Sequence, residues 1–418
     1  MLNLIPQTKN WLRANGDRPV AAKPFSSLSS YKAIKHHQTL AKTLGIPNPF
    51  YRSTEGMADK LTLIDGKPVL NFAWCDYLGL SQHPEMIAAA NEATSRFGTT
   101  LSASRMVSGD TPMHRELEAE IARTIGVEAA LVFVSGHAAN VSTIGTLMNS
   151  DDLIVHDEFV HNSAVVGMRL SGAETRSFKH NRLDALENIL RTERAKYRNV
   201  MVVIEGLYST EGDLPDLARI VELKERYGAW LMVDDAHGCG VLGATGRGLA
   251  EHCGVDGAKV DIWMGTLSKA YASCGGYIAG NTELIDLLRY AAPGFVFSVG
   301  LPPAMTASAL TALRIVQREP ERVQRLHNNS KMFLEGAHAR GLDTGRAAGI
   351  AMLPIMVGLT GRAAKTVARV LERGVNASFI MYPGVPMNAA RLRFFLSSEL
   401  TEAEINLALD VTKEELGR

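Results

Sequence analysis

The chain has 418 residues, enough for one large core with one or two smaller domains beside it. Hydrophobic residues make up 46% and charged residues 21%, which excludes a disordered chain or a bundle of membrane spans. Lys plus Arg and Asp plus Glu both number 44, so no overall charge points to nucleic acid.

The opening MLNLIPQTKNWL lacks a sustained apolar core ahead of a small-residue cleavage site, and no run of about 18 apolar residues occurs. A cytoplasmic protein without a membrane segment is expected. Residues 1–50 are locally basic, with Lys9, Arg13, Arg18, Lys23, Lys32, Lys35 and Lys42 against Asp17. Residues 1–84 read as an arm with one helical stretch and a hairpin-like segment around Asp65-Gly66. From 85 to 325, strand-length apolar runs alternate with segments of helical period, the pattern of an α/β domain with a mainly parallel sheet. The expected strands are 129–134, 152–156, 200–205, 230–234, 260–264 and 275–279, with amphipathic helices at 112–125, 182–197 and 214–227. Residues 326–418 change to helix, strand 351–357, helix 362–373, strand 391–397 and helix 401–416, a separate α+β lobe. Cys75, Cys239, Cys253 and Cys274 form no C-x-x-C pair and read as free thiols, buried by default.

Ligands of a parallel α/β sheet bind beyond the carboxyl ends of its strands. Strand 129–134 runs into Ser135-Gly136-His137 and a helix, which offers backbone amides and a dipole to an anion, although Ser-Gly is equally a turn and N-cap. Strand 200–205 ends in Glu205 and leads to Ser209; strand 230–234 ends in Asp234-Asp235-Ala236-His237; each also suits a plain turn or cap. Gly265-Thr266-Leu267-Ser268-Lys269 is the sharpest feature, because a lysine just past a buried strand is costly unless used. Pyridoxal phosphate (PLP) needs a lysine for its imine, a carboxylate for its ring nitrogen and a helix N-terminus for its phosphate. Lys269, Asp234 and Ser135-Gly136-His137 with Thr266 meet those needs jointly, and no residue is assigned to a metal.

With Asp76-Tyr77-Leu78-Gly79-Leu80, Ser104-Arg105, Ser108-Gly109, Ala138-Ala139-Asn140, Glu205-Gly206, Pro293-Gly294-Phe295 and Arg391-Leu392-Arg393, the chain from about Tyr51 onward resembles the PLP-dependent α-oxoamine synthases of fold type I. That family includes aminolevulinate synthase and aminooxononanoate synthase. The resemblance implies an aspartate-aminotransferase-like α/β fold with a small C-terminal α+β domain. It also implies decarboxylative condensation of a small amino acid with an acyl thioester, giving an α-amino ketone, carbon dioxide and free thiol. By the same resemblance Lys269 carries the cofactor and then serves as general base, Asp234 pairs with the ring nitrogen, and His161 stacks on the ring. His237 and Ser209 would contact the phenolic oxygen, Arg391 the amino-acid carboxylate, and Ser298 the phosphate from the partner subunit of a homodimer.

Departures bear on the substrates. Trp74-Cys75 stands where the family commonly has Ser-Asn near the carboxylate, and Ser104 where glycine-restricted relatives commonly have Thr. The smaller Ser104 implies room for serine or alanine as well as glycine. The Thr99–Arg105 and Gly136–Asn140 variants resemble the branch tied to polyketide assembly lines, so an acyl carrier protein is an expected partner beside acyl-coenzyme A. A fold type I aminotransferase or lyase, or a PLP-binding protein without catalysis, remains open on the residues alone.

Overall fold

Strands buried on both faces need cover on both sides, and the central strands of this chain are of that kind. The computed structural model describes residues 22–43, 45–56 and 59–417. In chain order its strands are β1 Thr54–Glu55, β2 Leu61–Ile64, β3 Lys67–Phe72, β4 Ala129–Phe133, β5 Leu153–Asp157, β6 Glu174–Phe178, β7 Val200–Glu205, β8 Trp230–Asp234, β9 Ile262–Thr266, β10 Gly276–Gly280, β11 Met352–Gly358, β12 Val375–Ile380 and β13 Ala390–Phe395. Seven of them form one sheet in the order β4-β10-β9-β8-β7-β5-β6, parallel except for β10, which runs antiparallel to both neighbours.

Alternation along each strand divides the core. Val200, Val202 and Ile204 of β7 pack into one apolar cluster, Met201 and Val203 into the other. Helices cover both faces, including Pro112–Ile125 and Leu217–Tyr227, whose buried leucines and isoleucines join the first cluster. The second cluster lies under Gly136–Leu147, Asn162–Ser171 and Thr282–Ala291. Pro303–Arg318 and Glu321–Ala339 then lead to the second sheet, β1-β2-β3-β12-β13-β11.

The expected hairpin at Asp65-Gly66 is present: β2 and β3 pair antiparallel, and both turn residues have positive φ, 51° and 71°. These strands do not stay with the arm, because β3 pairs with β12 and completes the C-terminal sheet across the boundary drawn at 84. β6 and β12 were not expected as strands. β6 is polar and mostly exposed, so its extended form rests on pairing with β5. Cys75, Cys239, Cys253 and Cys274 are free thiols, but Cys274 is exposed, against the expectation of burial.

The described residues up to Tyr51 belong to a unit separate from the rest of the chain. Its described part holds a 3-10 turn, Phe25–Ser27, and a helix, Ser29–Thr43, on which Lys32, Lys35 and Lys42 are exposed. Lys9, Arg13, Arg18 and Asp17 lie outside the described residues. Among the described residues no helix is long and apolar enough to cross a membrane.

Candidate active site

Each parallel strand of the large sheet delivers its last residues to the same edge, and five of them carry the expected polar groups there. β4 leads into Ser135, whose Oγ accepts from the Ala138 amide at 3.0 Å and caps Gly136–Leu147. The amides of Gly136 and His137 in that first turn have no carbonyl four residues back. A Cβ on Gly136 would lie 2.8 Å from Met264 Cε and 3.4 Å from Thr266 Oγ1, so the end of β9 packs closely against the cradle. Thr266 is buried, with Oγ1 2.8 Å from Ser268 Oγ and donating to Gly275 O at 3.0 Å.

β8 ends in buried Asp234, whose carboxylate accepts from Asn140 Nδ2 at 2.7 Å and from the Ala236 amide at 3.2 Å. Asn140 also donates to Ser163 Oγ at 2.8 Å, and Ser163 Oγ lies 2.7 Å from His161 Nδ1. Desolvation holds the His161 imidazole below its ordinary pKa, assisted by Lys269, His137 and Arg393 and opposed by Asp234. Next to Asp234 in register is Glu205. Burial, with Asp234 beside it, pushes the Glu205 carboxyl up to about 8. Glu205 Oε2 accepts from the Ser209 amide at 2.8 Å, and Oε1 is buried without a hydrogen-bond partner.

His237 meets the buried Tyr77 hydroxyl at 2.7 Å through Nδ1 and lies nearly parallel to the Phe395 ring, 12° between planes. Burial, then Lys269, Arg393 and His161, drives its pKa well below the usual value, so it is neutral. Burial pushes the Tyr77 phenol far up, so the hydroxyl beside Nδ1 keeps its proton. Lys269, half-buried past β9, acts electrostatically on Cys75, His161, Glu205 and His237, which places these groups around one amine.

The residue expected at the amino-acid carboxylate has protein partners of its own. Arg391 is buried, ion-paired with Glu211, and donates to the carbonyls of Thr210 at 2.9 Å and Ala389 at 3.0 Å. Its Nε and Nη1 are engaged inside the protein. Arg393, two residues on, acts on Lys269's neighbours Cys75, Tyr77, His161 and His237, and its Nε is buried without a partner. Its Nη1 is steadied by Ser209 O at 2.9 Å.

Trp74 and Cys75 are half-buried, and desolvation raises the Cys75 thiol. Ser104 and Ser298 line a second, open hollow with Met106, Val107, Phe297 and Val299, where Ser104 bridges Val299. Sequence reasoning missed Arg393, Asn140, Tyr77 and Phe395 as site residues. A buried asparagine one helical turn from the cradle glycine was the available signal for Asn140.

These residues fit a phosphorylated pyridine: an amide-lined cradle at a helix N-terminus, a clamped carboxylate, and an amine near them. Comparison with known proteins agrees. Residues 67–411 match the family model described as aminotransferase class I and II. The 8-amino-7-oxononanoate synthase of Thermoanaerobacter pseudethanolicus is 39% identical over 388 residues, covering 92% of this chain and 97% of that relative. Among solved structures, the Sphingomonas wittichii serine palmitoyltransferase superposes with a TM-score of 0.89 at 29% identity, covering 94% of this chain and 98% of that one. A serine palmitoyltransferase from S. paucimobilis with a bound PLP–myriocin adduct gives 0.90 at 28%, covering 94% and 100%.

Proposed function

Because the chain belongs to the class I and II aminotransferase family, as a PLP-dependent α-oxoamine synthase of fold type I, we propose that it condenses alanine with a carboxyl-bearing acyl thioester. The relative's name encodes the chemistry. In 8-amino-7-oxononanoate the aminated carbon bears a methyl group, as in alanine, and the ketone is the former thioester carbonyl of a seven-carbon acid. Serine is the second amino acid of choice, since it names the structural neighbours, but at 29% rather than 39% identity. Both have a substituent on the α-carbon, in line with the space expected beside Ser104. The polyketide context expected from Thr99–Arg105 has no support in these relatives, and the proposal sets it aside.

The observation that carries the reading is the convergence of Lys269, Asp234, His237, His161 and Arg393 on one edge of the sheet. Bound PLP supplies an electron-withdrawing ring that stabilises negative charge at the α-carbon. Asp234, held by Asn140 and the Ala236 amide, keeps a proton on the ring nitrogen. Lys269 Nζ would hold the cofactor and is the amine placed to take the α-proton as general base. His161 covers the ring; His237 Nε2 and Ser209 bind its phenolic oxygen; Gly136, His137 and Thr266 hold the phosphate. Arg393, rather than Arg391, binds the amino-acid carboxylate, with its charge strengthened by exclusion of water.

The second hollow has an apolar, exposed rim, including Phe297 at 86% and Val107 at 81% exposure, which fits burial against a second copy. Ser298 would then reach the partner's phosphate, as the homodimer expectation requires. The donor is proposed to arrive on an acyl carrier protein, for which the exposed lysines of Ser29–Thr43 provide complementary charge. Mass analysis of products from alanine, serine and glycine with a panel of acyl thioesters tests the whole reading. An α-amino ketone with release of carbon dioxide is expected, and amino transfer without carbon dioxide would overturn it.

A further inference from the structure

His180 is 5% exposed and sits between two carboxylates. Its Nδ1 lies 3.0 and 3.1 Å from the two oxygens of Asp157, and its Nε2 lies 2.9 and 3.1 Å from those of Asp213. A neutral imidazole has one lone pair, which would then face a carboxylate oxygen at hydrogen-bond distance. Both contacts are satisfied together by the imidazolium alone. Tyr208, at 4.4 Å and nearly perpendicular, and Phe159 at 4.8 Å enclose the ring and shield it from water.

The two carboxylates belong to different parts of the chain. Asp157 ends β5 and also accepts from the amides of Phe159 and Asn181, both at 2.9 Å, so it is fixed to the sheet. Asp213 belongs to a loop that closes on itself, with the Tyr208 amide donating to Asp213 O at 3.0 Å and the Gly212 amide to Tyr208 O at 2.8 Å. That loop supplies every main-chain contact from β7 to the two arginines of β13: Ser209 O to Arg393, and Thr210 O, with the Glu211 side chain, to Arg391. It also carries Ser209 itself. Asn181 reinforces the link, with Nδ2 3.3 Å from Asp213 Oδ2 and 3.1 Å from Leu214 O.

We propose that His180 is a positioning residue for the amino-acid site: a fixed imidazolium that ties the 208–213 loop to β5 and so holds Arg393 and Ser209 at the cofactor. This inference rests on the roles given above to Arg393 and Ser209. The ionisable groups that face His180 are Asp157, Asp213 and Tyr208, with Glu158 bound to its main-chain amide at 3.0 Å. Removing the charge at His180 would leave Asp157 and Asp213 opposed and release the loop without touching any group that meets substrate.

The test uses the PLP-loaded enzyme. The alanine concentration that half-saturates the cofactor's absorbance change is read for wild type, His180→Gln and Asp213→Asn, alongside KM and kcat. Half-saturation and KM should rise on the order of tenfold in both variants, since a small misplacement of a binding group is costly. kcat at saturating alanine should move much less. Asp213→Asn keeps the Asp157–His180 pair and so decides the matter if His180→Gln does not fold. Nitrogen-15 spectra of wild-type histidines should show one side chain protonated on both nitrogens at pH 8. Unchanged half-saturation in Asp213→Asn, or a neutral His180, overturns the inference. A wild-type enzyme that responds to neither alanine, serine nor glycine instead removes the functional reading, and the inference with it.

Discussion

Arg391 and Arg393 point to the same side of β13, being two residues apart, yet their surroundings divide their roles. The Nε and Nη1 of Arg391 are bound by a buried carboxylate and two carbonyls, whereas Arg393 retains an unpartnered buried Nε. Arg393→Gln is therefore expected to raise KM for the amino acid by about 100-fold or more, because a charge-assisted bidentate contact is lost. Arg391→Gln should chiefly lower stability, by about 3–5 kcal/mol, since it leaves Glu211 buried and unpaired. Denaturant midpoints and steady-state kinetics of the two variants separate these outcomes, and the converse pattern would restore Arg391 to the substrate. Asp234→Asn should leave the fold and much of the PLP binding intact, because an isosteric amide keeps one of the two hydrogen bonds, from Asn140 Nδ2 or from the Ala236 amide, while turnover falls by several orders of magnitude. Near-normal turnover would remove the carboxylate from its role.

Among the elements, strand termini supply the site and the N-terminal helix supplies the proposed docking face. Lys32 and Lys35 are exposed on Ser29–Thr43, and Lys35 reaches only Gln38 and, at 5.6 Å, the Tyr31 ring. Exposed charges of this kind act on a partner through a field that salt shortens to about 3 Å at 1 M. Charge reversal at both positions should raise the apparent KM for a carrier-bound donor and leave a small thioester mimic unaffected, with the difference vanishing at high salt. Equal effects on both donors would make the helix structural rather than a docking element.

At the scale of the whole molecule, three buried acid–base groups tilt stability in one direction. His180 is raised to about 9: desolvation opposes the proton, but Asp157 and Asp213 more than outweigh it. The folded protein therefore holds a proton that the unfolded chain has released above its ordinary value near 6.5. That contribution, on the order of 3 kcal/mol, is complete below about pH 6.5 and is lost as pH rises through 9. Burial likewise lifts Glu205 and Asp235 to about 8, so each also favours the folded state less as pH climbs from the ordinary carboxylate range to 8. Unfolding midpoints should fall steadily between pH 6.5 and 9, and His180→Gln should flatten the upper part of that slope. A midpoint that rises over this range would contradict the assignment.

The sequence by itself determined most of the large sheet, the hairpin at Asp65-Gly66 and the cofactor, and it pointed to Lys269 as the proposed carrier, because these depend on local pattern: strand-length apolar runs, a turn needing positive φ, and a lysine where burial is costly. β6 escaped because its residues are polar and gain their extended form only from β5. The tertiary structure alone showed that Arg391 is ion-paired with Glu211 while Arg393 keeps an unpartnered Nε, since the 208–213 loop that contacts both is far away in sequence. It also decided that β3 belongs to the C-terminal sheet and that His180 is an imidazolium, both of which follow from partners that no local pattern names.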